Sequence, residues 1–530
     1  MSIHMQLRPS KVYSAALAGL DTQLVEVEAD VSVGLNSFQV VGLPDKAVEE
    51  AKERISSALK NTQFKHPRGF NRRTVINLAP ADLKKEGGMY DLPLALSFLV
   101  ASNQVRFDPK NYLFVGELGL DGALRPIRGA VLFASLAKEM AIPTLVVPHQ
   151  NKNEARIVGG VQVIAPRNLG ELVRYLEKQR LQKGGIRTTN TSPFPLIERA
   201  MSDVPEMDMA YINGQQHAKS ALEVAAAGGH NVMMQGPPGS GKTILAKAFA
   251  GILPRMSEEE MLEVTKIYSI IGKIDPKTPL ITTRPFRAPH HTTSEPALIG
   301  GGGNMKPGEI TLAHHGVLFA DEFPEFHRDL LESLRQPLES GSISIGRAKG
   351  FVTYPAKFIL VAAANPCPCG FLNDPQKSCT CYGMQLQRYQ KKLSGPIADR
   401  IDIHIQVPHQ TYEILASKHV GEPSESIRKR VAAARAIQVE RFRNDNEGKT
   451  ASKKTLSNSQ MSIPQVKRYC LVPEEAEYAL KKAVDKDRLS ARGYHKVLKI
   501  ARTIADLAGR ENINVSDVSQ AIGYNKIVDR

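Results

Sequence analysis

Gly236-Pro237-Pro238-Gly239-Ser240-Gly241-Lys242-Thr243 decides how this chain is read. It fits G-x-x-x-x-G-K-[ST], a loop whose backbone N–H groups close on a polyphosphate. Ahead of it, His230-Asn231-Val232-Met233-Met234-Gln235 is a short apolar run of the kind a buried strand uses. Behind it, Ile244 to Ala250 has helical composition and spacing. Strand, glycine-rich loop and helix N-terminus together make an anion site. On that pattern Lys242 is expected to reach the β- and γ-phosphates of ATP, and Thr243 to ligate Mg²⁺. The loop residues Gly236, Pro237, Pro238, Gly239, Ser240 and Gly241 are expected to wrap the phosphates.

A phosphate loop says only "nucleotide"; hydrolysis needs further parts. Gly316-Val317-Leu318-Phe319-Ala320-Asp321-Glu322 reads as an apolar strand ending in two acids. Asp321 is expected to hold Mg²⁺, and Glu322 to orient and deprotonate the attacking water. Phe358 to Ala364 reads as another buried strand, and it delivers Asn365, a residue able to position that water. Ser394 to Asp402 carries a lone Arg400 among acids. Arg400 is either an arginine finger for a neighbouring subunit's nucleotide or satisfied locally by Asp399 or Asp402.

The whole chain bounds the rest. Its 530 residues suit about three domains of roughly 150 residues. With 69 Lys and Arg against 54 Asp and Glu, the net charge is +15, which suits a polyanionic partner such as DNA. No apolar run approaches the roughly 18 residues of a membrane span, and the first residues lack a signal peptide's apolar core. The expectation is a cytoplasmic protein that does not engage a membrane. Five cysteines are too few for a disulfide scaffold. Four of them, Cys367, Cys369, Cys379 and Cys381, form C-x-C-x9-C-x-C. They suggest either a structural Zn²⁺ with four protein ligands and no open position, or reduced, redox-active thiols. Cys470 stands apart and reads as core.

In chain order the expected class is α/β. Residues 1–178 alternate strands and helices: strands at Gln23–Ala29, Thr74–Ala79, Leu113–Leu118 and Thr144–Val147, helices at Ala47–Leu59 and Leu92–Val100. Asn77-Leu78-Ala79-Pro80-Ala81-Asp82-Leu83, Tyr90-Asp91-Leu92-Pro93 and Gly116-Glu117-Leu118-Gly119 resemble the Lon-protease-type domain, a ribosomal protein S5 domain 2-like fold. Gly87 to Asp91 lacks the serine nucleophile of that family, and Gly129-Ala130-Val131 lacks its lysine, so no peptidase is expected. Lys65, His66, Arg68, Arg72 and Arg73 make a basic stretch there, either a solvated face or a DNA contact. Residues 179–205 read as a linker, 206–406 as the P-loop ATPase core, and 407–530 as a helical lid.

The order phosphate loop, acidic strand end and Asn365 is that of AAA+ ATPases. In that class the stretch Ile212 to Gln215 lies over the adenine, which makes Gln215 a nucleotide contact. Arg492, opening a helix at Ser490, fits the cation that the lid supplies. If both arginine assignments hold, the active site lies between subunits of a ring. Arg284 to Ser294, followed by Ala297 to Gly303, is expected to be an insertion loop, because its prolines and glycines cannot continue a helix. Ser342 to Tyr354 reads as two strands around a basic tip. Loops so placed line the central pore in related ATPases, which makes Arg287, Arg347 and Lys349 candidate DNA contacts, with Phe351 stacking or packing. His290 and His291 invite a metal reading, but no second ligand pair adjoins them.

Phe286 to Ser294, Gly308 to Glu322, Asn365-Pro366-Cys367-Pro368-Cys369-Gly370 and Ser394 to Asp402 together resemble the YifB/ComM family of magnesium-chelatase-like AAA+ ATPases, over nearly the whole chain. The resemblance implies a hexameric motor on single-stranded or branched DNA. It points to a helicase driving branch migration in homologous recombination during natural transformation. The alternative is a magnesium-chelatase-type ATPase subunit that remodels a protein partner. A protein unfoldase is a third reading, but no aromatic-apolar pair stands beside Arg347 and Lys349.

Overall fold

The computed structural model describes residues 9–69, 71–181, 207–302, 305–347, 350–374, 377–393, 397–417, 420–449, 454–486 and 489–525. The chain divides into two compact units. One runs to Ser202 and includes Glu258–Thr282; the other is Asp203–Ser257 with Thr283–Arg530.

The first unit is built on strands β1 (Ser10–Ala18), β2 (Asp21–Val33), β3 (Ser37–Val41), β4 (Arg72–Ala79) and β5 (Tyr112–Phe114). A short hairpin follows, β6 (Glu117–Leu118) with β7 (Leu124–Arg125), then β8 (Thr144–Val146) and β9 (Gln162–Ile164). Seven strands form one mixed sheet, in the order β3-β4-β2-β1-β5-β8-β9. Strand alternation explains β2: Val25, Val27, Ala29 and Val31 point one way and are buried. The helix Asp91–Ala101 that packs on this sheet is buried on nearly every side, so its sequence is apolar throughout. Asp91, the charged exception at the start of this helix, is fully buried and clamped by Arg54 at 2.8 and 2.9 Å.

Two expectations are corrected here. The strand expected at Leu113–Leu118 breaks after Phe114, because Gly116 donates to the Met89 carbonyl at 2.9 Å and accepts from Leu92 N at 3.0 Å. Its backbone groups leave the ladder, and a strand cannot continue without them. The ATPase segment expected at 206–406 is also interrupted. The helix Glu258–Ile270 and its following loop belong to the first unit: Ser269 bonds the buried Glu154, and Asn153 Nδ2 donates to Pro276 O at 3.1 Å. The linker expected at 179–205 falls almost wholly outside the described residues; its first residues are the end of the helix Leu169–Leu181.

The second unit holds an all-parallel sheet of β10 (Val232–Gln235), β11 (Phe286–Arg287), β14 (Val317–Ala320), β17 (Ile359–Ala364) and β18 (Ile403–Gln406). Its order is β11-β14-β17-β10-β18. Two hairpins interrupt the chain between these strands: β12 (Gly300–Gly301) with β13 (Lys306–Pro307), and β15 (Ser342–Arg347) with β16 (Gly350–Pro355). The inner strands β10, β14 and β17 are near-continuous apolar runs because both of their faces are buried. The C-terminal helices do not form a separate core. Val431 and Val497 from them join Val232, Val317, Phe319 and Val361 from the sheet in one buried cluster.

Candidate active site

In a parallel sheet all C-terminal strand ends lie on one edge, and ligands bind there. Here that edge gathers the phosphate loop after β10, Asp321 and Glu322 after β14, and Asn365 after β17. The register fixes their heights: Gln235 pairs with Ala364, and Ala320 with Ala362. Three separate stretches of sequence are thereby brought together by strand pairing alone.

The helix Lys242–Ile252 begins at Lys242, after Gly239 and Gly241 take left-handed backbone conformations at φ +78° and +94°. Those φ values set a sharp turn into the helix, which residues with a Cβ resist. The Lys242 ammonium is buried and donates to Gly236 O at 2.7 Å, Pro237 O at 2.9 Å and Asn365 Oδ1 at 3.3 Å. Burial lowers its pKa, with Asp321 opposing that shift. Thr243 Oγ1 donates to Asp321 Oδ2 at 3.0 Å, so the two expected Mg²⁺ ligands are within reach of one ion. Ser240 Oγ is buried with no hydrogen-bond partner among the described residues. A buried cation and an orphaned hydroxyl at the start of a helix are donors of the kind a polyphosphate needs.

Glu322 has φ +50°, a conformation that costs a non-glycine residue about 1 kcal/mol. Its carboxylate lies 2.9 Å from His291 Nδ1. Sequence reading weighed His290 and His291 as metal ligands and missed this pairing. The signal was two histidines just past a strand on the same sheet edge. His290 instead faces Thr292 Oγ1 at 2.8 Å.

The other expected site residues lie elsewhere. Gln215 donates its amide to Pro408 O at 2.8 Å and Ser240 O at 3.4 Å, which puts it under the phosphate loop with its side chain already engaged. Arg287 belongs to edge strand β11, and its guanidinium is held by both oxygens of Glu309 at 2.6 and 2.7 Å. A bidentate pair of that kind leaves it poorly placed to grip DNA. The side chains of Arg347 and Lys349 lie outside the described residues, while Phe351 beside them is 68% exposed.

Arg400 bonds Glu339 rather than Asp399 or Asp402. Asp402 faces the buried His230 at 3.2 Å, and His230 meets Thr503 Oγ1 at 3.0 Å on the helix Ala491–Leu507. Burial would raise the Asp402 pKa, but His230, Lys496 and Lys499 outweigh it and hold it down. Arg492 is exposed in the first turn of that helix. One turn on, Lys496 donates to Ile401 O at 2.7 Å, which sets this face of the helix against the Arg400 segment.

The four cysteines converge. Cys367 Sγ lies 3.3 Å from Cys369 Sγ and 3.7 Å from Cys379 Sγ, and Cys369 N donates to Cys381 Sγ at 3.3 Å. All four sulfurs lie within 4.8 Å of one another. Tetrahedral zinc with bonds near 2.3 Å requires sulfur separations of about 3.8 Å, so the set fits that ion. Backbone N–H groups of Phe371 and Thr380 pull the Cys369 thiol down to about 5, whereas burial pushes Cys367 up to about 12 and Cys381 upward. The shifts run in both directions, so the fit to a metal rests on the sulfur geometry. Cys470 is buried, as expected.

Comparison with known proteins shows what the chain as a whole is similar to. Residues 208–415 match the family model "Magnesium chelatase, subunit ChlI", residues 27–151 "Subunit ChlI of Mg-chelatase", and residues 421–525 "Magnesium chelatase, subunit ChlI C-terminal". The chain is 41% identical to competence protein ComM of Haemophilus influenzae, over 98% of this chain and 97% of that protein. It is 38% identical to YifB of Escherichia coli, over 98% and 97%. Similarity to the magnesium-chelatase subunit ChlI of Olisthodiscus luteus is 28% over 32% of this chain and 54% of that one.

Proposed function

The chain belongs to the magnesium-chelatase-like AAA+ family that includes ComM and YifB, and we propose that it is an ATP-driven motor on DNA. The observation that carries the ATPase half is the paired closure of Lys242 on Asn365 and Thr243 on Asp321 at one sheet edge. Lys242 and the loop N–H groups would bind the phosphates and stabilise charge as it develops on the γ-phosphoryl oxygens. Thr243 and Asp321 would hold Mg²⁺, which supplies further charge neutralisation when bound. Glu322 would take the proton of the attacking water, and Asn365 would orient that water. Arg400 and Arg492 would serve a neighbouring subunit's nucleotide, in a ring expected to be hexameric.

The DNA half rests on the basic charge, the hairpin β15–β16 with its exposed Phe351, and the full-length likeness to a competence protein. Its expected activity is a helicase or branch-migration translocase in homologous recombination during natural transformation. Arg347 and Lys349 at the hairpin tip are the proposed phosphate contacts, with Phe351 available for stacking. Residues 1–178 are proposed as a Lon-type fold relative without peptidase chemistry. Cys367, Cys369, Cys379 and Cys381 are proposed to hold a structural Zn²⁺.

ATP hydrolysis measured with single-stranded, forked and no DNA tests the proposal. Forked DNA is expected to stimulate turnover, with binding that weakens steeply as salt rises, because Lys and Arg displace condensed counterions. Stimulation by an unfolded or partner protein, and none by DNA, would favour the chelatase-type reading that the ChlI family matches support.

A further inference from the structure

The four-cysteine segment does not stand apart from the nucleotide loop. Cys367 follows Asn365 by two residues and is fully buried. The chain then turns at Gly370, whose backbone lies directly on Pro238 of the phosphate loop. A Cβ built on Gly370 would sit 2.6 Å from Pro238 Cδ, and its φ is +88°. Further along, the Asp374 carboxylate lies 3.7 Å from His409 Nε2, next to the Pro408 carbonyl that takes the Gln215 amide. Past Cys381, Tyr389 on the helix Gly383–Leu393 donates its hydroxyl to Asn365 O at 3.0 Å. Two parts of the loop, at Gly370 and Asp374, thus touch the phosphate loop and the segment under Gln215, and the helix that leaves the loop touches Asn365.

Among its described residues, this loop has no helix or strand between Ala364 and Gly383. Its shape therefore depends on what joins its four sulfurs, as in other small metal-held loops. We propose that the metal-bound cysteine loop is a wall of the nucleotide pocket, so that zinc at the four thiols and nucleotide at the phosphate loop strengthen each other's binding. The inference rests on the ATP-site and zinc readings above. Coupling of two ligands is reciprocal at equilibrium, so each must tighten the binding of the other by the same free energy.

The test uses the full chain. Zinc content is measured by elemental analysis. Zinc release to a chromogenic chelator is then followed with and without ADP, and a fluorescent ADP analogue is titrated into zinc-loaded and zinc-stripped protein. ADP is expected to slow zinc release, and zinc to tighten ADP binding, each on the order of tenfold. Cysteine replacement risks unfolding, so Gly370→Ala serves as the second probe. It keeps all four thiols but drives a Cβ into Pro238, and is expected to retain zinc while losing the tenfold effect. Equal release rates with and without ADP, or equal ADP affinity in both forms, would overturn the coupling alone. Zinc-loaded protein that binds no ADP would overturn the ATP-site reading and the coupling with it. A chain that takes up no zinc would overturn the metal reading and the coupling.

Discussion

Lys242 illustrates what one residue decides. Its ammonium is buried and supported by two loop carbonyls and Asn365, so the site keeps a cation where phosphate charge must be met. Lys242→Ala removes that cation and is expected to abolish binding of a fluorescent ATP analogue. Glu322→Gln keeps the shape but not the base. ATP is expected to bind normally while turnover drops on the order of a hundredfold or more, since general-base catalysis contributes at least that much. Wild-type turnover in Glu322→Gln would remove Glu322 from the chemistry. These residues were readable because each lies shortly past an apolar strand, Lys242 at the end of the glycine-rich loop after β10 and Glu322 just past β14, and parallel pairing then brings the strand ends together. Arg287 was not readable as a structural residue. Its partner Glu309 lies across an intervening helix and hairpin, and nothing in local spacing announces that pair. The partner of Arg400 was equally hidden: its near acids are Asp399 and Asp402, but it bonds Glu339.

At the scale of elements, the strands β10, β14 and β17 show in sequence as runs without alternation, the pattern of sheets covered on both faces. Strand β11 does not. Phe286–Arg287 lies between Pro285 and Pro289, which argue for a loop until the strand is seen at the sheet edge, where proline is tolerated. Strand β18, at the other edge, carries the pH dependence. Burial, and secondarily Lys496, push the His404 imidazole down to about 4. The unfolded chain titrates near 6.5, so it binds the proton more tightly than the folded one. Stability from this group is therefore complete above about pH 6.5 and is lost as pH falls from there toward 4. The shift corresponds to at most about 3 kcal/mol. Urea midpoints measured from pH 7.5 to 5 are expected to fall for the wild type and to fall less for His404→Gln. Parallel curves for the two would show that His404 does not carry the effect.

For the whole molecule, the position of Arg400 argues for a ring. The Asn231 side chain, just before β10, donates to the Arg400 carbonyl at 3.1 Å, so the arginine segment sits at the start of that strand. The phosphate loop sits at its end. Four residues of strand at roughly 3.3 Å each put about 13 Å of sheet between them. Lys496 and its Ile401 contact bring Arg492 to the same starting edge. Neither arginine is placed to serve the nucleotide of its own subunit, while a head-to-tail ring would carry both to the next one. Arg400→Ala is therefore expected to abolish hydrolysis while leaving ATP binding intact. Lys242→Ala is inactive for the opposite reason. Mixing the two dead variants should restore activity, because a seam with an intact Lys242 on one side and an intact Arg400 on the other is complete. Random mixing at equal amounts makes on the order of a quarter of the seams complete. Turnover in the mixture, against either variant alone, reads this directly. A mixture as inactive as its parts, under conditions where wild-type subunits do exchange, would return Arg400 to its own subunit's structure as the partner of Glu339.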